Sequence, residues 1–186
     1  MQWEIYSYQS PIDQAAFDSA YDLLTTALPP QECRILSDQQ ALLQHPAYRL
    51  RLLRAEDGNV NGLLAVWEWE HLRYVEHFAI HSRLRGKGAG GQALSSYLAM
   101  DNRPLVLEVE PAGSTPMAQR RIGFYQRLGL HLNDYPYAQP PLRAGQPMLP
   151  LRFMTWPSPI ALEEFKIMRD FLYREVYDFS GEPLPT

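Results

Sequence analysis

The chain has 186 residues, of which 46% are apolar and 20% charged, and a net charge of −4. That is enough for one substantial core, and the acidic balance excludes a dedicated polynucleotide binder. The single cysteine, Cys33, allows neither an internal disulfide nor a thiolate metal cluster, which points to a cytoplasmic setting, and no run of about 18 apolar residues marks a membrane span.

Trp3, Ile5 and Ser7 alternate as in a short strand, after which Pro11 and Asp13 introduce a helix that reaches Leu28 and is closed by Pro29-Pro30. Ser37 is expected to cap a second helix through Leu43. A strand over Tyr48–Ala55, a turn at Glu56-Asp57-Gly58-Asn59 and a returning strand over Leu63–Trp69 form a hairpin. A further strand spans Tyr74–His81. A helix then runs from Gly88 to Met100, its buried face carrying Gly90, Leu94, Tyr97 and Leu98. Leu105–Glu110 is a strand, and Pro116–Leu128 a helix that ends on Gly129 as a left-handed cap. Seven prolines between Pro136 and Pro159 predict a long ordered loop around one strand, Met148–Trp156. The last segment, Ile160–Phe179, is a helix whose stripe of Ala161, Phe165, Met168, Leu172, Val176 and Phe179 packs on the core or, alternatively, on a second copy of the chain in a homodimer.

The segment Arg83-Leu84-Arg85-Gly86-Lys87-Gly88-Ala89-Gly90-Gly91 carries the chemistry. Glycines at a strand-to-helix junction let the backbone approach a ligand at positive φ, and the first amides of the helix point out at its positive end, so an anionic phosphate is the expected guest. Arg83, Arg85 and Lys87 add charge. A nucleoside-triphosphate loop is excluded because Gln92-Ala93 follows Gly91 in place of Lys-Ser or Lys-Thr. Gly86, Gly88 and Gly91 match a dinucleotide fingerprint, with Glu108 or Glu110 at ribose distance. Ser82–Arg85 nonetheless separates the strand from the first glycine, and no second βαβ half follows.

The third pattern fits throughout. Arg83-Leu84-Arg85-Gly86-Lys87-Gly88, the preceding strand Tyr74–Ile80, and Phe124-Tyr125-Gln126-Arg127-Leu128-Gly129-Leu130 occur in the order and separation that resemble the GNAT superfamily of N-acetyltransferases. The resemblance covers residues 1–156 in element order and Tyr74–Leu130 most specifically. It implies a single α/β domain over 1–186, with a mixed, mostly antiparallel twisted sheet flanked by helices and an added C-terminal helical extension from 157 to 186. It also implies acetyl-CoA as co-substrate and a small-molecule or peptide amine as partner. His45, His71, His81 and His131 show no pairwise metal spacing, so no metal is expected, and the charge balance and the lack of a long apolar run leave neither a nucleic-acid nor a membrane partner expected. One departure stands out: where many members carry Asn and Ala before Phe-Tyr, this chain has Ala118 and Arg121.

By the same resemblance, the backbone N–H groups of Phe78, Ala79 and Ile80 face the pantetheine and the thioester carbonyl, and the amides of Gly86 to Gly90, Ala89 included, hold the diphosphate. Glu76 is the expected base, directly or through water; the alternative is a strand glutamate paired with Arg73. His77 ranks below it, because alternation sends it to the other face unless a bulge intervenes. Tyr125 is the expected acid for the leaving thiolate, since its pKa near 10 keeps it protonated at neutral pH; the alternative is a core tyrosine paired with Phe124. Trp67, Glu68, Trp69, Glu70, Glu108, Glu110, Tyr135 and Tyr137 are candidates for an acidic, aromatic acceptor pocket. Two other functions stay open: a non-catalytic acyl-CoA-binding regulator and a dinucleotide-binding oxidoreductase.

Overall fold

A computed structural model describes residues 3–55 and 58–181. Residues 1–2, 56–57 and 182–186 lie outside that range, so Glu56 and Asp57 of the expected turn are not among the described residues. The described chain is mixed α/β, with seven strands and five α-helices, and every strand pairing within its two compact units, Met1–Arg103 and Pro104–Thr186, is antiparallel.

In the first unit β1 (Glu4–Tyr6), β2 (Tyr48–Arg54), β3 (Val60–Glu68) and β4 (Arg73–Ile80) form a meander in sequence order. Helix α1 (Gln14–Ala27) starts where expected, because the Asp13 carboxylate accepts the Ala16 N–H at 2.9 Å and satisfies one of the orphan donors of the first turn. Phe17, Ala20 and Leu24 of α1 line a small apolar cavity together with Leu50, Leu63 and Ala65 of the sheet. Helix α2 (Leu36–Ala41) begins one residue before Ser37: Ile35 is the N-cap, without a side-chain bond, and Ser37 lies inside the helix. The remainder of that segment, Leu42–Gln44, tightens into a 3-10 turn.

Helix α3 (Ala89–Leu98) buries Ala89, Ala93, Leu94, Tyr97 and Leu98, so Ala89 and Ala93 take the place that Gly90 was expected to fill. Its core contacts are Leu53 and Ile80, with Phe78 and Leu84 at the margin. The end of α3 is tied down by Arg73, which is fully buried and donates to the carbonyls of Tyr97 (3.0 Å), Asp101 (3.2 Å) and Arg103 (2.9 Å). Arg73 and Arg51 lie over the Tyr97 ring at 5.2 and 5.1 Å.

The second unit orders β5 (Leu105–Val109), β7 (Leu149–Trp156) and β6 (His131–Gln139) as β5-β7-β6. Strand β6 corrects the expected loop. It runs through Pro136, where the register shifts between Asn133 and Tyr137, so the residue that lacks an N–H falls outside the paired rows of an edge strand. Helix α4 (Pro116–Arg127) is capped by Thr115, whose hydroxyl accepts the Ala118 N–H at 2.9 Å. Helix α5 (Leu162–Glu175) lies on the β6–β7 pair: Phe165 packs against Tyr135, Tyr137 and Phe153, and the Tyr173 hydroxyl donates to the Ala138 carbonyl at 2.5 Å. Among the described residues no helix is long and apolar enough to cross a membrane, and no cluster of His, Cys, Asp and Glu is arranged to hold a metal ion.

Candidate functional site

The site of the first unit begins with an irregularity in β4. Val75 stands opposite Val66 and His77 opposite Ala65, which leaves Glu76 as an extra residue, a β-bulge. The bulge brings consecutive side chains to the same side of the sheet. Glu76 forms an ion pair with Arg34, and His77 Nε2 donates to the carbonyl of Glu32 at 2.7 Å. The bulge is the exception to alternation that the sequence allows at His77, and it sets Glu76 and His77 side by side.

Glu76 pairs with Arg34 and not with Arg73. The two side chains are 2% and 8% exposed. The second carboxylate oxygen of Glu76 accepts the Trp67 indole N–H at 2.9 Å, and the Trp67 ring lies at 5.8 Å from Trp69, stacked, and at 4.8 Å from His45. The segment bearing Arg34 is held from α1 as well, because the Tyr21 hydroxyl donates to the Arg34 carbonyl at 3.0 Å. Cys33, between Glu32 and Arg34, is 1% exposed. The carbonyl of Glu32 can only accept, so His77 carries its proton on Nε2, and burial pulls the pKa of the imidazole down to about 4.

Beyond the bulge the strand is regular. The His81 N–H donates to the Asn61 carbonyl of β3 at 2.8 Å, and by alternation the Ala79 N–H turns toward β3 too. The amides of Phe78 and Ile80 face the strand's other edge. Of the three backbone donors expected from sequence, Ala79 is therefore the one whose amide is committed within the hairpin.

The chain then enters a 3-10 turn over Ser82–Leu84 and the glycine loop. Arg83 grips the Asn61 side-chain oxygen with Nε (2.9 Å) and Nη2 (2.5 Å), and Arg85 Nε donates to the Ile80 carbonyl at 3.0 Å. Both arginines thus fasten the loop to the hairpin, while Lys87 is exposed. Gly86 and Gly88 take φ of +75° and +79°, a region that residues with a Cβ seldom adopt, and a Cβ added at either would meet no atom within 4 Å. Gly88 is the N-cap of α3 and, having no side chain, leaves the first amides of that helix uncapped by its neighbours. Open space beside the uncapped amides at a positive helix end fits a diphosphate.

In the second unit Tyr125 sits on α4, 7% exposed, with its ring edge-on to Phe124 at 5.2 Å. The helix ends in a Schellman motif: Gly129 at φ +86° donates to Gln126 O and Leu130 N–H reaches Tyr125 O, which fixes the last turn beneath the phenol. Arg121 is held by Glu110 in an ion pair.

The acidic, aromatic acceptor pocket is corrected in part, because several of its members have internal partners. Glu68 accepts from Arg51 (2.7 Å) and the Tyr97 hydroxyl (3.0 Å); Glu110 holds Arg121; Tyr135 donates to the Ile160 carbonyl at 3.1 Å. Glu108 does gather aromatics: it accepts from the hydroxyls of Tyr137 and Tyr177, the latter at 2.9 Å. Arg34 and the bulge are what sequence reasoning missed. Arg34 lies 42 residues before its partner in an irregular segment, and no local signal marks it.

The Acetyltransferase (GNAT) family model matches residues 17–130, and the chain belongs to that family. A GNAT-family protein of Bacteroides thetaiotaomicron is 30% identical and matches with a TM-score of 0.85 over 95% of this chain and 98% of its own. A GNAT-family acetyltransferase of Elizabethkingia anophelis, solved with acetyl-CoA bound, is 18% identical over 83% of this chain and 95% of its own, at a TM-score of 0.54, a likeness of fold alone. The Bacillus subtilis (strain 168) protein YjbC is 28% identical over 108 residues; the match takes in 58% of this chain and 54% of that relative's length.

Proposed function

We propose that the protein transfers an acetyl group from acetyl-CoA to an amine in a ternary complex, in the cytoplasm. The observation that carries this reading is the uncapped start of α3 after a loop with two glycines at positive φ, with open space for a diphosphate at the end of a strand whose Phe78 and Ile80 amides turn away from β3. Those amides would polarise the thioester carbonyl where charge develops on its oxygen. Glu76 would receive, through water, the proton that the acceptor ammonium gives up. The neutral nitrogen then attacks the carbonyl carbon and, as the C–S bond breaks, gives up its surplus proton to solvent, while the Tyr125 hydroxyl protonates the departing thiolate and recovers its proton from solvent. The acceptor is a small-molecule or peptide amine.

The second reading is a regulator that binds acyl-CoA without turnover. It is favoured by one observation: both carboxylate oxygens of Glu76 are already engaged by internal donors. Thiol release from acetyl-CoA with a panel of amines separates the two. Acetyl-CoA-dependent stabilisation with thiol production supports the transferase; stabilisation without thiol production from any amine supports the regulator. The absence of stabilisation by acetyl-CoA removes both.

A further inference from the structure

The buried ion pair at the β4 bulge has a consequence for the chemistry. Resting on the assignment of Glu76 as proton acceptor, we propose that Arg34 is a positioning residue that holds Glu76 ionised and aimed, and that couples this state to the seating of segment 32–34 on β4.

A carboxylate as far from water as Glu76 favours its neutral, protonated form unless an opposite charge compensates it. Arg34 and Trp67 touch Glu76, and further groups surround these contacts on the neighbouring elements. Tyr21 of α1 bonds the Arg34 carbonyl; Tyr48 of β2 accepts from Gln39 Nε2 of α2 at 2.7 Å; Trp67 of β3 donates to Glu76; His77 follows it on β4; Glu32 contributes its carbonyl to His77; and His45 lies against Trp67. Burial keeps the Tyr48 hydroxyl protonated and His77 neutral at ordinary pH. Among these groups the Arg34 guanidinium is the positive charge in contact with Glu76. A surface pair of this kind would have little effect, whereas removing one partner of a buried pair leaves the other uncompensated. Arg34 is not a loose surface side chain either: the Tyr21 bond to its own carbonyl and the His77 bond at Glu32 fix the backbone on both sides of Cys33.

The test follows the Glu76 carboxyl directly, in the intact chain labelled at glutamate 13Cδ, with its NMR signal assigned by its loss in Glu76→Gln. No acceptor substrate is needed. Arg34→Gln is expected to raise the titration midpoint of Glu76 at least tenfold in proton affinity over wild type, with Arg34→Lys in between, because lysine keeps the charge but loses the fork. Should Arg34→Gln fail to fold, the displacement in Arg34→Lys is read alone. An unchanged midpoint in the folded variants overturns the role of Arg34 and leaves the acetyltransferase reading standing. The acid limb of kcat/KM, measured with any amine that is turned over, is expected to move with the midpoint. A limb that stays in place while the midpoint moves overturns Glu76 as proton acceptor and, with it, the catalytic meaning of Arg34.

Discussion

At the scale of single residues, a hydroxyl and an imidazole separate chemistry from stability. Tyr125→Phe removes the hydroxyl and keeps the ring that packs edge-on to Phe124. Turnover should fall by about 10²-fold or more, the usual contribution of a positioned acid, with acetyl-CoA affinity unchanged by calorimetry. Equal turnover in the variant would take Tyr125 out of the mechanism. His77 concerns folding. Burial holds its pKa at about 4, against about 6.5 in an unfolded chain, so below pH 6.5 the unfolded state takes up a proton that the native state refuses. Stability is therefore full above about 6.5 and declines as the pH falls toward 4, by up to about 3 kcal/mol. His77→Asn keeps a donor for the Glu32 carbonyl and does not titrate, so its Tm should fall less steeply than the wild-type Tm between pH 6.5 and 4. Parallel curves would contradict this.

Elements are fixed by close approach and by single buried bonds. A Cβ at Gly62 of β3 would stand 2.7 Å from Ile80 Cδ1 and 3.2 Å from the Ala79 carbonyl, so Gly62→Ala should lower stability by about 1–3 kcal/mol in denaturant titration, and a variant as stable as wild type would show that β4 yields freely. In the second unit, Tyr173→Phe strips the Ala138 carbonyl of its buried donor and should cost about 1–2 kcal/mol, with faster amide exchange along α5. Unaltered exchange would mean that the ring contacts to Tyr137 and Phe179 suffice. Most elements were legible from periodicity and punctuation: Asp13 starts α1, Gly129 ends α4, and the hairpin strands lie within a few residues of expectation. The misreadings share a cause, in that tertiary context overrode a local signal. Pro136 falls in the unpaired stretch of β6, and Ser37 is the second residue of a helix whose N-cap is Ile35. The glycine loop was readable because phosphate chemistry demands small residues in sequence. The Arg34 pair was not, because its partners meet only through folding, and the bulge that sets Glu76 and His77 side by side leaves no compositional mark.

For the molecule as a whole, the formal charge of −4 opposes a polyanionic ligand at long range, while Arg83, Arg85 and Lys87 attract it locally. Acetyl-CoA at 100 times its Kd should raise stability by about 2.7 kcal/mol through mass action. The rise in Tm should shrink with added salt as the exposed charges of the loop are screened. A thermal shift independent of ionic strength would place the binding energy elsewhere than in those side chains.

The one sulfhydryl of the chain offers a built-in reporter. Cys33 is sealed beneath a clasp whose two hooks are the backbone of Glu32 and the guanidinium of Arg34. Its rate of modification by a disulfide reagent therefore clocks how often that clasp lets go, and an unhooked variant should colour the reagent sooner than the native chain.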